Sequence, residues 1–280
     1  MTIRMILFCF LCLHCITPAL LFAGDRGRTE LPFKSLFDRR EELVYSVSWM
    51  SINIGTITLT ITPDTGSGGP FTAAVFIDSR QGLPFANVHA VFKGNLDSSG
   101  SPIRFFGYDQ MELDRWSVHM YTYSKERDRL FAKKGEAKRP DTDQLSVAES
   151  DTLMIDRLTQ DGLSIFYFAR KQLNSLDTFS VKTVVHGSVG TTILNCYGKQ
   201  TEIDIGAIDQ SISVIEMDGM AKFKGVFGLT GEFKGWFSND NAHIPIRAKL
   251  GVILGNVNLE LIHWKREGWT PPRYNNLYTR

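Results

Sequence analysis

Leu43-Val-Tyr-Ser-Val-Ser-Trp49 and, after a break at Ser51-Ile-Asn53, Thr56-Ile-Thr-Leu-Thr-Ile-Thr62 decide the fold class. In the first run Leu43, Tyr45, Val47 and Trp49 alternate with Val44, Ser46, Ser48 and Met50. In the second, Ile57, Leu59 and Ile61 alternate with threonines. Successive side chains of a strand point to opposite faces, so a period of two with threonine on the wet side specifies half-buried antiparallel strands. The stretch 63–70, with two prolines and three glycines, reads as a turn, and 71–77 as a third strand.

The same signal recurs along the chain. Strands are expected over 103–112, 116–124, 129–133, 178–185, 191–197, 201–207, 211–217, 221–227, 231–238, 244–252 and 256–264. Two segments switch to the helical period. After Pro84, the residues Phe85, Val88, His89 and Phe92 fall at i, i+3, i+4 and i+7, and Gly94 is placed to end a helix. A second helix starts at Thr159 or Asp161, either of which can cap it, and runs to about Leu173. Its apolar residues cover more than half its circumference, so it packs into something. Many strands and two helices give a mainly β, β-rich α+β protein. The expected architecture is a large curved antiparallel sheet, or half-open barrel, with two helices packed against it. No linker divides residues 25–280 and no repeat of 20–50 residues stands out, so one β-rich domain is expected, with an irregular tail over 268–280.

Residues 1–24 stand apart. Arg4 precedes an apolar run from Ile6 to Phe22, and Ala23-Gly24 form a small-residue exit. That is the pattern of a secretory signal peptide, and Pro18 shortens the run below what a membrane anchor needs. A lipid anchor on Cys12 or Cys15 is the other rival, and the residues before these cysteines fit it poorly. Export to the periplasm is therefore expected, with full secretion as the alternative. Loss of 1–24 removes only Arg4 among charged residues, so Lys+Arg falls from 31 to match the 30 Asp+Glu. A neutral chain offers no groove for nucleic acid. Cys9, Cys12 and Cys15 leave with the leader, so Cys196 has no intrachain partner and is expected to be a buried structural thiol on a strand.

The order of these elements resembles the DUF3108 family of exported bacterial proteins, to which no function is assigned. The resemblance rests on the opening strand pair, on Asp161-Gly-Leu-Ser-Ile-Phe-Tyr-Phe-Ala-Arg170, and on Lys234-Gly-Trp-Phe-Ser-Asn-Asp240 with Ile244-Pro-Ile246 and Leu254-Gly-Asn-Val257. It covers about 42–262 and implies a periplasmic β-rich protein. More remotely the arrangement is similar to the lipoprotein carriers LolA and LolB, which implies a half-open barrel closed by helices around acyl chains.

Catalytic parts are scarce. His89, His119, His186, His243 and His263 show no His-Glu-x-x-His or i, i+4 pairing, so no metal site is expected. His89 reads as a core histidine, and His263 as the end of an inward row through Val257, Leu259 and Leu261. There is no Gly-x-Ser-x-Gly elbow, and Gly66-Ser-Gly-Gly69 lacks the Lys-Ser/Thr of a phosphate loop. Ser238-Asn-Asp-Asn241 reads as a strand-ending turn, and Glu202 and Asp204 as solvated carboxylates. No cofactor and no catalytic residue is expected.

Aromatic residues rise above this background. Phe105, Phe106, Tyr108, Trp116, Tyr121, Tyr123 and Phe131 recur over three strands, and Phe223, Phe227, Phe233, Trp236 and Phe237 over a glycine-rich hairpin with Gly225, Gly228, Gly231 and Gly235. Either a curved sheet fills its own concavity or a partly filled cavity takes a hydrophobic guest such as an acyl chain. The expected lining is Tyr45, Val47, Trp49, Ile57, Leu59, Ile61, Phe233, Phe237, Ile244, Ile246 and Leu250, with Phe166 and Tyr167 closing the mouth. The function expected first is a periplasmic, non-catalytic binding or carrier module for a lipid-like molecule. The alternatives are a structural or interaction protein of the envelope with a filled barrel and its own protein partner, and a cofactor-less enzyme using the same cavity.

Overall fold

The computed structural model describes residues 32–64, 71–83, 88–124, 126, 128–140, 145–223, 231–252 and 255–274. The expected leader at 1–24 with Cys9, Cys12 and Cys15 lies outside the described residues. So do the turn at 65–70, the first turn of the expected helix at 84–87, Gly225, Phe227, Gly228 and the end of the tail.

A short helix α1 (Phe33–Leu36) leads into β1 (Glu41–Trp49), β2 (Ile52–Pro63), β3 (Phe71–Ser79), β4 (His89–Leu96), β5 (Pro102–Glu112), β6 (Arg115–Ser124), β7 (Arg129–Ala137) and β8 (Ser146–Met154). Each of these strands pairs antiparallel with the one before it. Then come β9 (Gln160–Asp161), α2 (Ser164–Gln172), β10 (Thr178–Val185), β11 (Ser188–Ile205), β12 (Ile208–Ala221), β13 (Gly231–Ser238), β14 (Pro245–Gly251) and β15 (Asn256–Arg266). The spatial order runs β8 to β1, then β15 back to β9, in a single sheet of 15 strands. The first and last strands therefore meet in the middle, and mid-chain segments form both edges. Open twisted sheets rarely exceed about ten strands without curling, and this one curls until its two arms touch.

Burial follows the alternation that the sequence carries. Leu43, Tyr45 and Val47 are buried in β1, Phe71, Ala73, Val75 and Ile77 in β3, and Leu130 and Ala132 in β7. Helix α2 lies within the curl. Asp161 caps it: one carboxylate oxygen accepts the N–H groups of Leu163 and Ser164 at 2.9 and 2.8 Å, and Ser164 Oγ accepts the Asp161 N–H at 2.8 Å. These bonds satisfy donors that the first helical turn leaves open.

Three expectations are corrected. Residues 89–96 are strand β4, not a helix. Phe85, Val88, His89 and Phe92 fit the helical period, but Ala90, Phe92, Gly94 and Leu96 fit a strand equally well, and pairing with β3 and β5 decides between them. Gly94 ends nothing; a Cβ there would come within 3.0 Å of Leu163, so the glycine makes room for the start of α2. The second helix of the fold is instead α1, whose Phe33 and Leu36 are buried together with Phe37. The chain between 138 and the second helix also carries an unexpected edge strand, β8, and β11 runs unbroken where two strands were expected. A register shift between Cys196 and Lys199, with Gly198 at φ +63°, carries β11 across the break.

Candidate functional site

The expected lining residues do not converge on one cavity. Tyr45, Ile244 and Ile246 pack with Leu43, Ile212 and Leu261. Ile61 and Tyr167 belong to a second cluster with Phe71, Phe92 and Phe105. Ile57 and Leu59 lie against both of these clusters. Phe237, with Phe233 beside it, belongs to a third around Phe168, Leu194 and Met217. Val47 is buried, and Trp49 and Leu250 are half-buried, outside all three. Phe166, expected at a mouth, is 49% exposed and joins none of them, whereas the neighbouring Tyr167 is buried and its hydroxyl donates to the Thr60 carbonyl at 3.1 Å. Cys196 is buried on β11, and burial pushes its thiol up to about 11, where it is a poor nucleophile.

The arms of the sheet meet where the β10–β11 turn rests on β5 and β6. His186 and Gly187 form this two-residue turn, both at positive φ, 48° and 77°. The Gly187 N–H donates to Tyr121 Oη at 2.7 Å, and His186 Nε2 lies 3.8 Å from Asp109 Oδ2. The rings of His119 and His186 sit 5.3 Å apart, and nearby Tyr123 donates to Asp161 at 3.1 Å. A cavity of about 20 Å³ remains between these groups and Phe92, Phe105 and Val184, room for about one water. His119 is 8% exposed and faces this cavity. Burial, with His186 and Lys134 nearby, pushes its imidazole down to about 4, so it is neutral at pH 7. Burial pushes the Asp109 carboxyl up, and His186 beside it works the other way. Among the described residues no three His, Cys, Asp or Glu side chains converge closely enough to hold a metal ion.

A second polar cluster lies at the β1/β15 junction. Arg170 of α2, 2% exposed, donates to both Glu41 carboxylate oxygens at 2.6 and 3.0 Å and to the Ala242 carbonyl at 2.9 Å. Its guanidinium also stacks 4.5 Å from the centre of the Phe37 ring. Arg266 of β15 donates to Glu41 at 3.0 Å and to the Leu36 carbonyl at 2.9 Å. Beside this cluster a surface cleft of about 310 Å³ is lined by Arg40, Glu42, Lys265, Arg266 and Glu267. Lys265 pairs with Glu42 at 2.7 Å, and the mixture of signs selects no charged ligand.

A family model described as "Protein of unknown function (DUF3108)" matches residues 44–262. The chain belongs to the DUF3108 family. Among solved structures this DUF3108 chain is similar to a β-barrel-like protein of the domain of unknown function DUF1849 from Brucella abortus. The two share 10% identity with a TM-score of 0.53, over 81% of this chain and 97% of that one. At that identity the likeness concerns the fold alone. None of the curated proteins compared with this DUF3108 chain matches it.

Both polar clusters of this DUF3108 protein escape a reading by local spacing. Asp109 and His119 come together through the pairing of β5 with β6, and only the curl of the sheet brings His186 to them. One local signal was present: His119, Tyr121 and Tyr123 share the inward period of β6. Arg170 likewise interrupts the apolar surface of α2, which marks a charge with a buried partner. Ser238-Asn-Asp-Asn241 is indeed a turn, with Asp240 accepting from Ser238 Oγ and from the Ala242 and His243 N–H groups. His263 is exposed, because a register shift between Val44 and Tyr45 turns the end of the β15 row outward.

Proposed function

We propose that this DUF3108 protein is an exported, non-catalytic interaction protein of the cell envelope, acting through the surface of a filled barrel. The observation that carries this reading is the interior: three packed clusters occupy the concave side, and the cavity where the arms meet has room for about one water rather than the roughly 300–1,000 Å³ of a ligand pocket. Export rests on the sequence of residues 1–24, with cleavage expected after Ala23 or Gly24. The carrier reading keeps one support, the turn-held junction of the arms, which gives the interior a place to open. The test is native mass spectrometry of the exported protein, combined with uptake of a fluorescent fatty acid at neutral pH. The expected result is a mature chain with neither co-purified lipid nor probe uptake. A stoichiometric lipid would overturn the filled-barrel reading in favour of a carrier, and a chain still starting at Met1 would overturn export.

A further inference from the structure

Strand pairing does not close the curl. The sheet ends at β8 on one side and at β9 on the other, and these two edges are not hydrogen-bonded to each other. Besides the chain connection from β8 to β9 over 155–159 and the Tyr123–Asp161 bond, the arms are joined by the β10–β11 turn on β5 and β6, through the Gly187–Tyr121 bond, the His186–Asp109 approach and Val184 packed with Phe92 and Phe105. We infer that this junction is an acid-released clasp, in which protonation of His119 frees the turn and opens the barrel between its two arms.

His119 is singled out by its surroundings. Its side chain is buried against the cavity with the His186 ring 5.3 Å away, and no hydrogen bond to it is seen among the described residues. Its ring nitrogens are not sealed from the cavity as the unpaired atoms of Gln160, Arg170 and Gln172 are. Lys134 stands opposite His119 in the β6–β7 ladder, and Asp109, across the cavity, lies 3.8 Å from His186, so a proton on His119 meets a cation and shares the nearest carboxylate with His186. Tyr121 already accepts the Gly187 N–H, and the Asp161 carboxylate is engaged by Tyr123 and the start of α2. In the closed form the imidazole is held down to about 4, whereas freed into water it returns towards its ordinary value near 6.5. The closed form therefore binds fewer protons than the open one between these values, and acidification favours opening by up to about tenfold per pH unit. Asp109 and Asp161 work in the opposite sense: burial raises both carboxyls, so each takes its proton more readily when closed. That opposition sets in as the pH falls through their raised closed-form values, so it limits the response at its acid end.

Amide hydrogen exchange on the intact mature protein tests the clasp, compared between about pH 7.5 and about pH 5 after correction for intrinsic rates. Residues 184–190 are expected to lose protection by about tenfold or more at the lower pH, while the β1/β15 ladder keeps its own. His119→Phe, which fills the same space without a titrating group, should abolish this difference. Tyr121→Phe, which removes the acceptor of the Gly187 N–H, should loosen the turn at both pH values and leave the difference in place. Equal protection at both pH values, or a response that persists in His119→Phe, overturns the inference. Should His119→Phe fail to fold, imidazole NMR of the unmodified protein decides: His119 must take its proton together with the shift of the Gly187 amide, and titration at the ordinary value with an unmoved Gly187 amide refutes the clasp.

Discussion

The barrel is joined in two places, and the two joints are built differently. At β1/β15 nine residue pairs, from Glu41↔Arg266 to Trp49↔Val257, form a ladder with one register shift between Val44 and Tyr45, and Glu41 ties Arg266 of the sheet to Arg170 of α2. At the other joint no strand pairs; a two-residue turn, one backbone donor and a group of titratable side chains hold the arms together. Each joint also holds a buried neutral histidine. His243, near the first, donates to the Arg170 carbonyl at 2.9 Å and lies 3.0 Å from Asn174, so both ring nitrogens are engaged. His119, at the second, has the His186 ring 5.3 Å away and the cavity before it, with no hydrogen bond to it among the described residues. The contrast teaches that burial alone does not make a histidine a weak point; burial without partners does.

The largest effect should come from the first joint. Arg170→Ala leaves Glu41 facing Arg266 alone and strips helix α2 of its anchor; breaking a buried ion pair costs about 3–5 kcal/mol. Urea unfolding followed by fluorescence should show the midpoint fall accordingly, and a loss no larger than that of a surface mutant would remove the contrast between the joints. Asp161→Ala comes next. It removes the cap of α2 and the acceptor of Tyr123, both between the arms, and a lost cap together with an unpaired buried hydroxyl should cost about 2 kcal/mol. Thermal unfolding of this variant should also become more sensitive to acid, because one of the carboxyls opposing His119 is gone. The smallest effect should be that of Phe166→Ala, within about 0.5 kcal/mol, since exposed substitutions away from packed features change little. A larger destabilisation would place Phe166 in a contact between the joints that its exposure does not suggest.

Most of the strands could be read locally, because alternation is a property of neighbouring residues. The pairs Leu43 to Trp49 and Ile57 to Ile61, and the row Ile244, Ile246 and Leu250, carry their own period. Helix α2 was legible from Asp161 and from its apolar girth. The segment at β4 was not, since Phe92 satisfies both periods and only the neighbouring strands choose. β8 was missed because an edge strand needs a partner on one side only, and Ala148 to Met154 bury little. Of the expected lining, Tyr45, Val47, Ile61, Tyr167, Phe237, Ile244 and Ile246 are buried, but whether such rows enclose space depends on how tightly the sheet curls and on where α2 sits. Neither is written in any one segment.

The meander with its ends in the middle has a consequence for how the chain assembles. Twelve of the thirteen antiparallel pairings join strands that follow one another in the chain, so each can zip up as a hairpin soon after its turn forms. The pairing of β1 with β15 alone spans nearly the whole chain, from Glu41 to Arg266. Closing so long a loop is entropically the costliest step and the slowest to be rewarded. The two halves are thus free to form as separate ribbons, with the β1/β15 ladder docking them last. A circularly permuted chain, opened between β8 and β9 and joined from β15 to β1, would turn that most distant contact into the most local one without altering a single strand.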